Sequence, residues 1–112
     1  MKVSDVILVK FPFTSLETVK KRPALVIASV THGSIRLLTI AMITSRIEGL
    51  HLPGDYVLKE WKQSRLMHPS LVRLCKMTTI DVDLVHKKLG TLSKVDIAGV
   101  REEFHNLFSS WI

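Results

Sequence analysis

The chain has 112 residues, 46% of them hydrophobic and 23% charged, enough for one modest domain with its own core. No long polar or low-complexity tract argues for disorder, no apolar run is long enough to span a bilayer, and Asp5 and Lys10 interrupt the first apolar run, which excludes a secretory leader. The net charge of +6 favours a polyanionic partner, nucleic acid first, and a single cysteine, Cys75, rules out an intrachain disulfide and fits a cytoplasmic protein.

Residues 3–11 begin the chain as a strand, with Val3, Val6, Ile7, Leu8 and Val9 apolar and mostly β-branched. Phe11-Pro12-Phe13 ends it, because proline cannot serve a central ladder. Residues 14–21 are polar and read as a loop that carries Glu17, the one acid near a basic cluster. Lys20, Lys21 and Arg22 then run into Pro23, which pushes Arg22 into an extended conformation at the mouth of a strand. Residues 24–30 are almost continuously apolar and predict a strand buried on both faces.

Thr31-His32-Gly33-Ser34 reads as a hairpin loop, and residues 35–44 as its second strand. A hairpin centred on Gly33 sets Arg22 directly opposite Thr44, on one sheet face. A guanidinium and a hydroxyl at a strand end suit a phosphate ester. A slip of one residue exchanges Thr44 for Ile43 or Ser45.

Residues 45–49 break away, residues 52–55 form a turn, and residues 56–58 a short strand. Residues 60–66, with Trp61, Lys62 and Arg65, fit a short helix or an irregular loop. Residues 70–77 alternate as a strand that carries Arg73, a second candidate for phosphate contact or for an ion pair, and Cys75, a small buried hydrophobe rather than a nucleophile. Residues 78–81 look like a turn, and residues 84–92 contain a last strand. Ser93 with Asp96 resembles a capping box, and Ile97, Val100, Phe104, Leu107 and Trp111 form the apolar stripe of a terminal helix, suited to core or dimer packing. The class is therefore mainly β, a small twisted barrel closed by a helix.

The five histidines are scattered, and none pairs at a metal-ligand spacing with another His, Cys or acid. No Gly-rich phosphate loop and no Gly-x-Ser-x-Gly is present. The sequence calls for no metal and no cofactor.

The stretches Asp5 to Thr14, Lys21-Arg22-Pro23-Ala24-Leu25-Val26-Ile27 and Ala41-Met42-Ile43-Thr44-Ser45 resemble the MazF/PemK toxins of bacterial type II toxin–antitoxin pairs. The likeness continues through Gly54-Asp55, Pro69-Ser70-Leu71-Val72-Arg73, Lys88-Leu89-Gly90-Thr91-Leu92-Ser93 and the last helix, in the family's order. It implies that residues 1–112 form a single SH3-like barrel of the CcdB/MazF/PemK type, and that the barrel forms a homodimer. It also implies metal-independent, sequence-specific cleavage of single-stranded RNA, leaving 2′,3′-cyclic phosphate and 5′-hydroxyl ends, and neutralisation by a cognate antitoxin. Arg22 and Thr44 match the family's catalytic arginine and threonine. Lys20, Lys21, Ser45, Arg46, Arg73 and Glu17 are the candidates for RNA contact. Ser4 stands where the family usually has glycine, a minor change at a strand start, and Cys75 where it often has an acid.

Two other functions compete with RNA cleavage. The related CcdB toxins share the fold and poison DNA gyrase without cutting RNA, and fold does not dictate function. A basic barrel that binds nucleic acid without cutting it predicts steep salt sensitivity and no strand scission. The low aromatic content of 6% argues against a stacking platform.

Overall fold

The apolar runs of the sequence become the central strands of one antiparallel sheet. A computed structural model describes residues 1–11 and 20–112. The strands are β1 (Asp5–Phe11), β2 (Lys20–His32), β3 (Ile35–Thr44), β4 (Asp55–Val57), β5 (Leu71–Asp81) and β6 (Val85–Thr91). A 3-10 turn at Val82–Leu84 joins β5 to β6, and helix α1 (Lys94–Leu107) ends the fold. The sheet order is β4-β5-β3-β2-β1-β6. Mainly β with a C-terminal helix is the class that the sequence predicts.

Strand alternation divides the core between two faces. Val6, Leu25, Ala41, Ile43, Val72 and Leu74 join Leu92 and Val100 under α1. Ile7, Val9, Ala24, Val26, Leu38, Ile40 and Ile80 build a second cluster, against which Val82, Leu84 and Val85 of the 3-10 turn region pack. β2 is therefore buried on both faces over Ala24, Leu25 and Val26, which explains its unbroken apolar run.

The strands do not close into a barrel by hydrogen bonds alone, because β4 and β6 remain the sheet's edges. Residues 58–70 bridge them instead. At one end the Leu58 N–H donates to the Ser70 carbonyl at 2.9 Å. Further along, the backbone of Ser64 lies directly on Gly90 of β6, where a Cβ would stand 2.7 Å from the Ser64 carbonyl oxygen. Leu66 of the same segment is drawn into the core under α1. The segment is a run of turns, the irregular alternative for residues 60–66.

Several boundaries differ from the sequence reading, among them the hairpin loop, where β2 continues through His32. β1 starts at Asp5 because Ser4 takes φ 77°, a left-handed conformation that glycine adopts freely and serine does not. β2 starts at Lys20, so Lys20 and Lys21 belong to the ladder, paired with Phe11 and Lys10, and not to the preceding loop. Residues 78–81 are strand rather than turn. Thr78 and Thr79 pair with Ile40 and Thr39, and the Thr39 and Thr79 hydroxyls meet at 2.9 Å across the ladder. Finally, α1 ends at Leu107, so Trp111 leaves the apolar stripe and is exposed. The proline-containing end of the first strand and the loop with Glu17 lie outside the described residues.

Candidate functional site

The β2–β3 hairpin brings Arg22 and Thr44 level by two offsetting irregularities. Its turn is centred between Gly33 and Ser34, with His32 opposite Ile35 and Ala28 opposite Thr39. That register, continued without change, would bring Arg22 opposite Ser45. A bulge at Ile27 intervenes, so that Val26 faces Ile40 and Ala24 faces Met42. Two residues beyond the last paired positions, Arg22 then stands level with Thr44. On its other side Arg22 is opposite Val9, and Thr44 is opposite Leu71.

Both side chains are half-buried and line one cleft of about 430 Å³ at this end of the sheet. Its apolar wall includes Leu8, Pro23, Met42, Ile43, Leu66 and Leu89. Its charged lining is Arg22, Arg46, Arg65 and Lys87 with His68, and among the described residues no carboxylate lines it. A concave surface lined by one sign of charge concentrates the field and draws in anions. The cleft is also continuous with its neighbours. Ser45, Arg46 and His68 are shared with an open hollow formed by residues 45–49, His68 and Pro69. Arg22, Pro23 and Met42 are shared with a third hollow that reaches Lys76 and Thr78. The three hollows adjoin through these shared residues, and Arg22 lines two of them.

Thr44 is set up as a donor. Its Oγ1 accepts the Arg46 N–H at 3.2 Å, which occupies a lone pair and leaves the hydroxyl proton available to a ligand. Ser45 and Arg46 follow it as the chain leaves the sheet, both exposed and both lining the cleft.

The remaining candidates divide. Lys20 and Lys21 are exposed and lie outside the cleft lining. Lys21 faces Lys10 across the β1–β2 ladder, and its Nζ is 3.4 Å from His86 Nε2. Partial desolvation and the charges of Lys21, Lys10 and Lys87 hold His86 below the ordinary histidine pKa. Arg73 is ion-paired instead of lining the cleft. Its Nε and Nη2 grip the two Asp55 oxygens at 3.0 and 2.9 Å, and Nη2 also donates to the Leu50 carbonyl at 2.8 Å. Burial tends to raise the Asp55 pKa, but the hydrogen bonds from Arg73 and the Leu52 N–H, with the Arg73 charge, lower it overall. The ion pair, one of the two roles open to Arg73 in the sequence, is formed. Cys75 is exposed and not buried as the sequence suggests, because it lies on a bulge of β5 where three residues, 74–76, separate the partners of Ala41 and Met42. Glu17 lies outside the described residues.

Sequence reasoning missed Arg65, His68 and Lys87 as cleft residues. The first two sit on the irregular bridge, which no periodicity locates, and Lys87 sits beside a β1–β6 register shift that disturbs simple alternation. Among the described residues no group of three His, Cys, Asp or Glu side chains gathers as a potential metal site, and no helix is long and apolar enough to cross a membrane.

Comparison with curated protein sequences finds no match. Solved structures are similar over nearly the whole chain. An endoribonuclease in complex with its cognate antitoxin, from a mycobacterial species, superposes with a TM-score of 0.72 at 11% identity, covering 97% of this chain and 95% of that one. The Mycobacterium tuberculosis toxin MazF-mt6 gives 0.66 at 21% identity, covering 94% and 96%. MazF from Deinococcus radiodurans gives 0.66 at 19% identity, covering 97% and 96%. At these identities the likeness speaks for the fold. The sequence profile of the PemK-like, MazF-like toxins of type II toxin–antitoxin systems matches residues 2–108, and the chain belongs to that family.

Proposed function

We propose that this toxin is a metal-independent endoribonuclease that cuts single-stranded RNA, and so inhibits translation and growth, with Arg22 and Thr44 as its catalytic residues. The observation that carries the reading is the juxtaposition of these two residues in one cleft whose described charged lining is cationic. The endoribonuclease complex and MazF structures of the same fold support it.

RNA holds its own nucleophile. The 2′-oxygen attacks the adjacent phosphorus, its proton is lost, the bond to the 5′-oxygen breaks, and that oxygen leaves protonated. The products are a 2′,3′-cyclic phosphate and a 5′-hydroxyl. Charge accumulates on the phosphoryl oxygens in between, and a guanidinium fork matches two of them. Arginine is a permanent cation in proteins, so Arg22 acts electrostatically rather than as a proton donor. Thr44 donates a hydrogen bond from its hydroxyl to the same phosphate, and Ser45 and Arg46 hold the strand beside it. The toxin works in the cytoplasm as a homodimer and is silenced by a cognate antitoxin. The antitoxin complexes of the similar folds support that partner.

The test is incubation of the purified protein with a long single-stranded RNA in excess EDTA, followed by analysis of the fragment ends. Discrete cuts with cyclic phosphate ends are expected. Inhibition by the chelator would overturn the metal-free mechanism, and intact RNA would favour a binder or a gyrase-type poison. Thr44→Val keeps the shape and removes the hydroxyl. It is expected to slow cleavage by about a hundredfold, the usual effect of deleting one transition-state donor. An unchanged single-turnover rate would remove Thr44 from the chemistry.

A further inference from the structure

Arg65 stands out in the cleft for a reason unrelated to Arg22. Its φ is +67°, and only one other non-glycine among the described residues, Ser4, is left-handed. L side chains disfavour this region, whereas glycine enters it freely. An arginine here needs a compensating use, because its own backbone gains nothing from the side chain.

The surroundings show where the side chain is directed. Gly90 of β6 has no side chain, and the Ser64–Arg65 backbone and stem occupy the space. A Cβ on Gly90 would lie 2.9 Å from the Ser64 carbonyl carbon and 3.0 Å from Arg65 Cγ. The stem of Arg65 is therefore laid along β6, the strand that also contributes Lys87 and Leu89 to the cleft. Among the described residues no carboxylate pairs with Arg65 or Lys87. Two cations thus converge on one wall, while Arg22 and Thr44 belong to β2 and β3.

Building on the endoribonuclease reading, we infer that Arg65, with Lys87, forms a second phosphate-binding position in the cleft. It holds the phosphodiester next to the one cut at Arg22 and Thr44. The substrate it fits is a strand with consecutive phosphates. Holding a neighbouring phosphate fixes the register of the strand and so presents one linkage to Arg22. Arg65 is a positioning residue in this scheme and does not touch the reacting atoms.

The experiment compares wild type, Arg65→Gly and Arg65→Lys. Binding is measured with a mixed-sequence 2′-O-methyl RNA oligonucleotide, which cannot be cut because its nucleophile is blocked, across a salt series. Cleavage is measured with the unmodified RNA, and folding by urea denaturation. Arg65→Gly is expected to be at least as stable as wild type, since glycine relieves the left-handed backbone. It should bind about tenfold more weakly, with a salt slope smaller by about one, the signature of one lost phosphate contact. Cleavage should lose affinity more than maximal rate, and Arg65→Lys should recover much of the binding. Equal affinity and equal salt slope in Arg65→Gly and wild type would overturn the inference while leaving the endoribonuclease reading intact. A wild-type protein that neither binds nor cuts RNA would overturn both, so the two failures are distinguishable.

Discussion

Arg22→Ala is expected to lower the cleavage rate by about a thousandfold or more while leaving the protein folded. Deleting one neutral oxyanion donor commonly costs about a hundredfold to a thousandfold, and a charged, two-pronged donor sets a larger expectation. Stability should change little, by about 0.5 kcal/mol, the usual range for a side chain that fills no core position. Arg22 is half-buried at the start of β2, and the packing beside it rests on Ala24 and Val26, which the substitution leaves in place. Arg22→Lys separates charge from geometry. A lysine keeps the cation but loses the planar fork, so it should restore RNA binding better than it restores rate. Single-turnover cleavage by saturating protein, with the urea midpoint measured on the same samples, reads both effects. A wild-type rate in Arg22→Ala would end the proposed mechanism, and equal losses of rate and stability would recast Arg22 as structural.

The parts of this site that could be read from sequence are those that follow from local rules. Pro23 fixes an extended Arg22, apolar runs mark β2 and β3, and Ser93 caps α1 by accepting the Asp96 N–H at 3.2 Å. The Arg22–Thr44 pairing was legible only by cancellation. A turn centred on Gly33 gives the same register as a turn centred half a residue later followed by a one-residue bulge. Nothing in Ile27 announces the bulge, since Ile is an ordinary strand residue. The bridge of residues 58–70 was illegible for a different reason. Its conformation depends on contacts far away in sequence, with Gly90 on β6 and Asp96 on α1. Arg65 and His68 enter the cleft only through that bridge. The open sheet follows from the same cause: the expected barrel is not closed by strand pairing, and turns of the chain lie between β4 and β6.

The bridge also sets the second large effect. Asp96→Ala is expected to destabilise the protein by about 3–5 kcal/mol, a substantial part of the roughly 5–15 kcal/mol typical of a domain. Asp96 is fully buried at the first turn of α1. A capping box would turn its carboxylate back to the helix start. Here it reaches out of the helix. Oδ1 accepts the Tyr56 hydroxyl at 2.8 Å and the Lys59 N–H at 2.9 Å, and Oδ2 accepts the Glu60 N–H at 2.9 Å. Removing it strands three part-buried donors, each costing up to about 1–3 kcal/mol, less what is regained by no longer burying a carboxylate. Tyr56 cannot follow the lost partner, because its ring is seated on the helix backbone. A Cβ at Gly99 would fall 2.1 Å from its Cε1. Burial and the hydrogen bond to Asp96 push the Tyr56 pKa up to about 12, so its hydroxyl remains a donor throughout the working range. Lys59 and Glu60 open the bridge that carries Arg65, Leu66 and His68 to the cleft, so the loss extends to function. Asp96→Ala should weaken RNA binding even at temperatures where it is fully folded, and Asp96→Asn should rescue little, since its amide would aim a donor at donors. Urea unfolding gives the first quantity, and RNA affinity at low temperature gives the second. A midpoint shift worth less than about 1 kcal/mol would mean that water replaces the carboxylate at little cost. The position of the bridge would then rest on Leu66 and the Ser64–Gly90 contact alone.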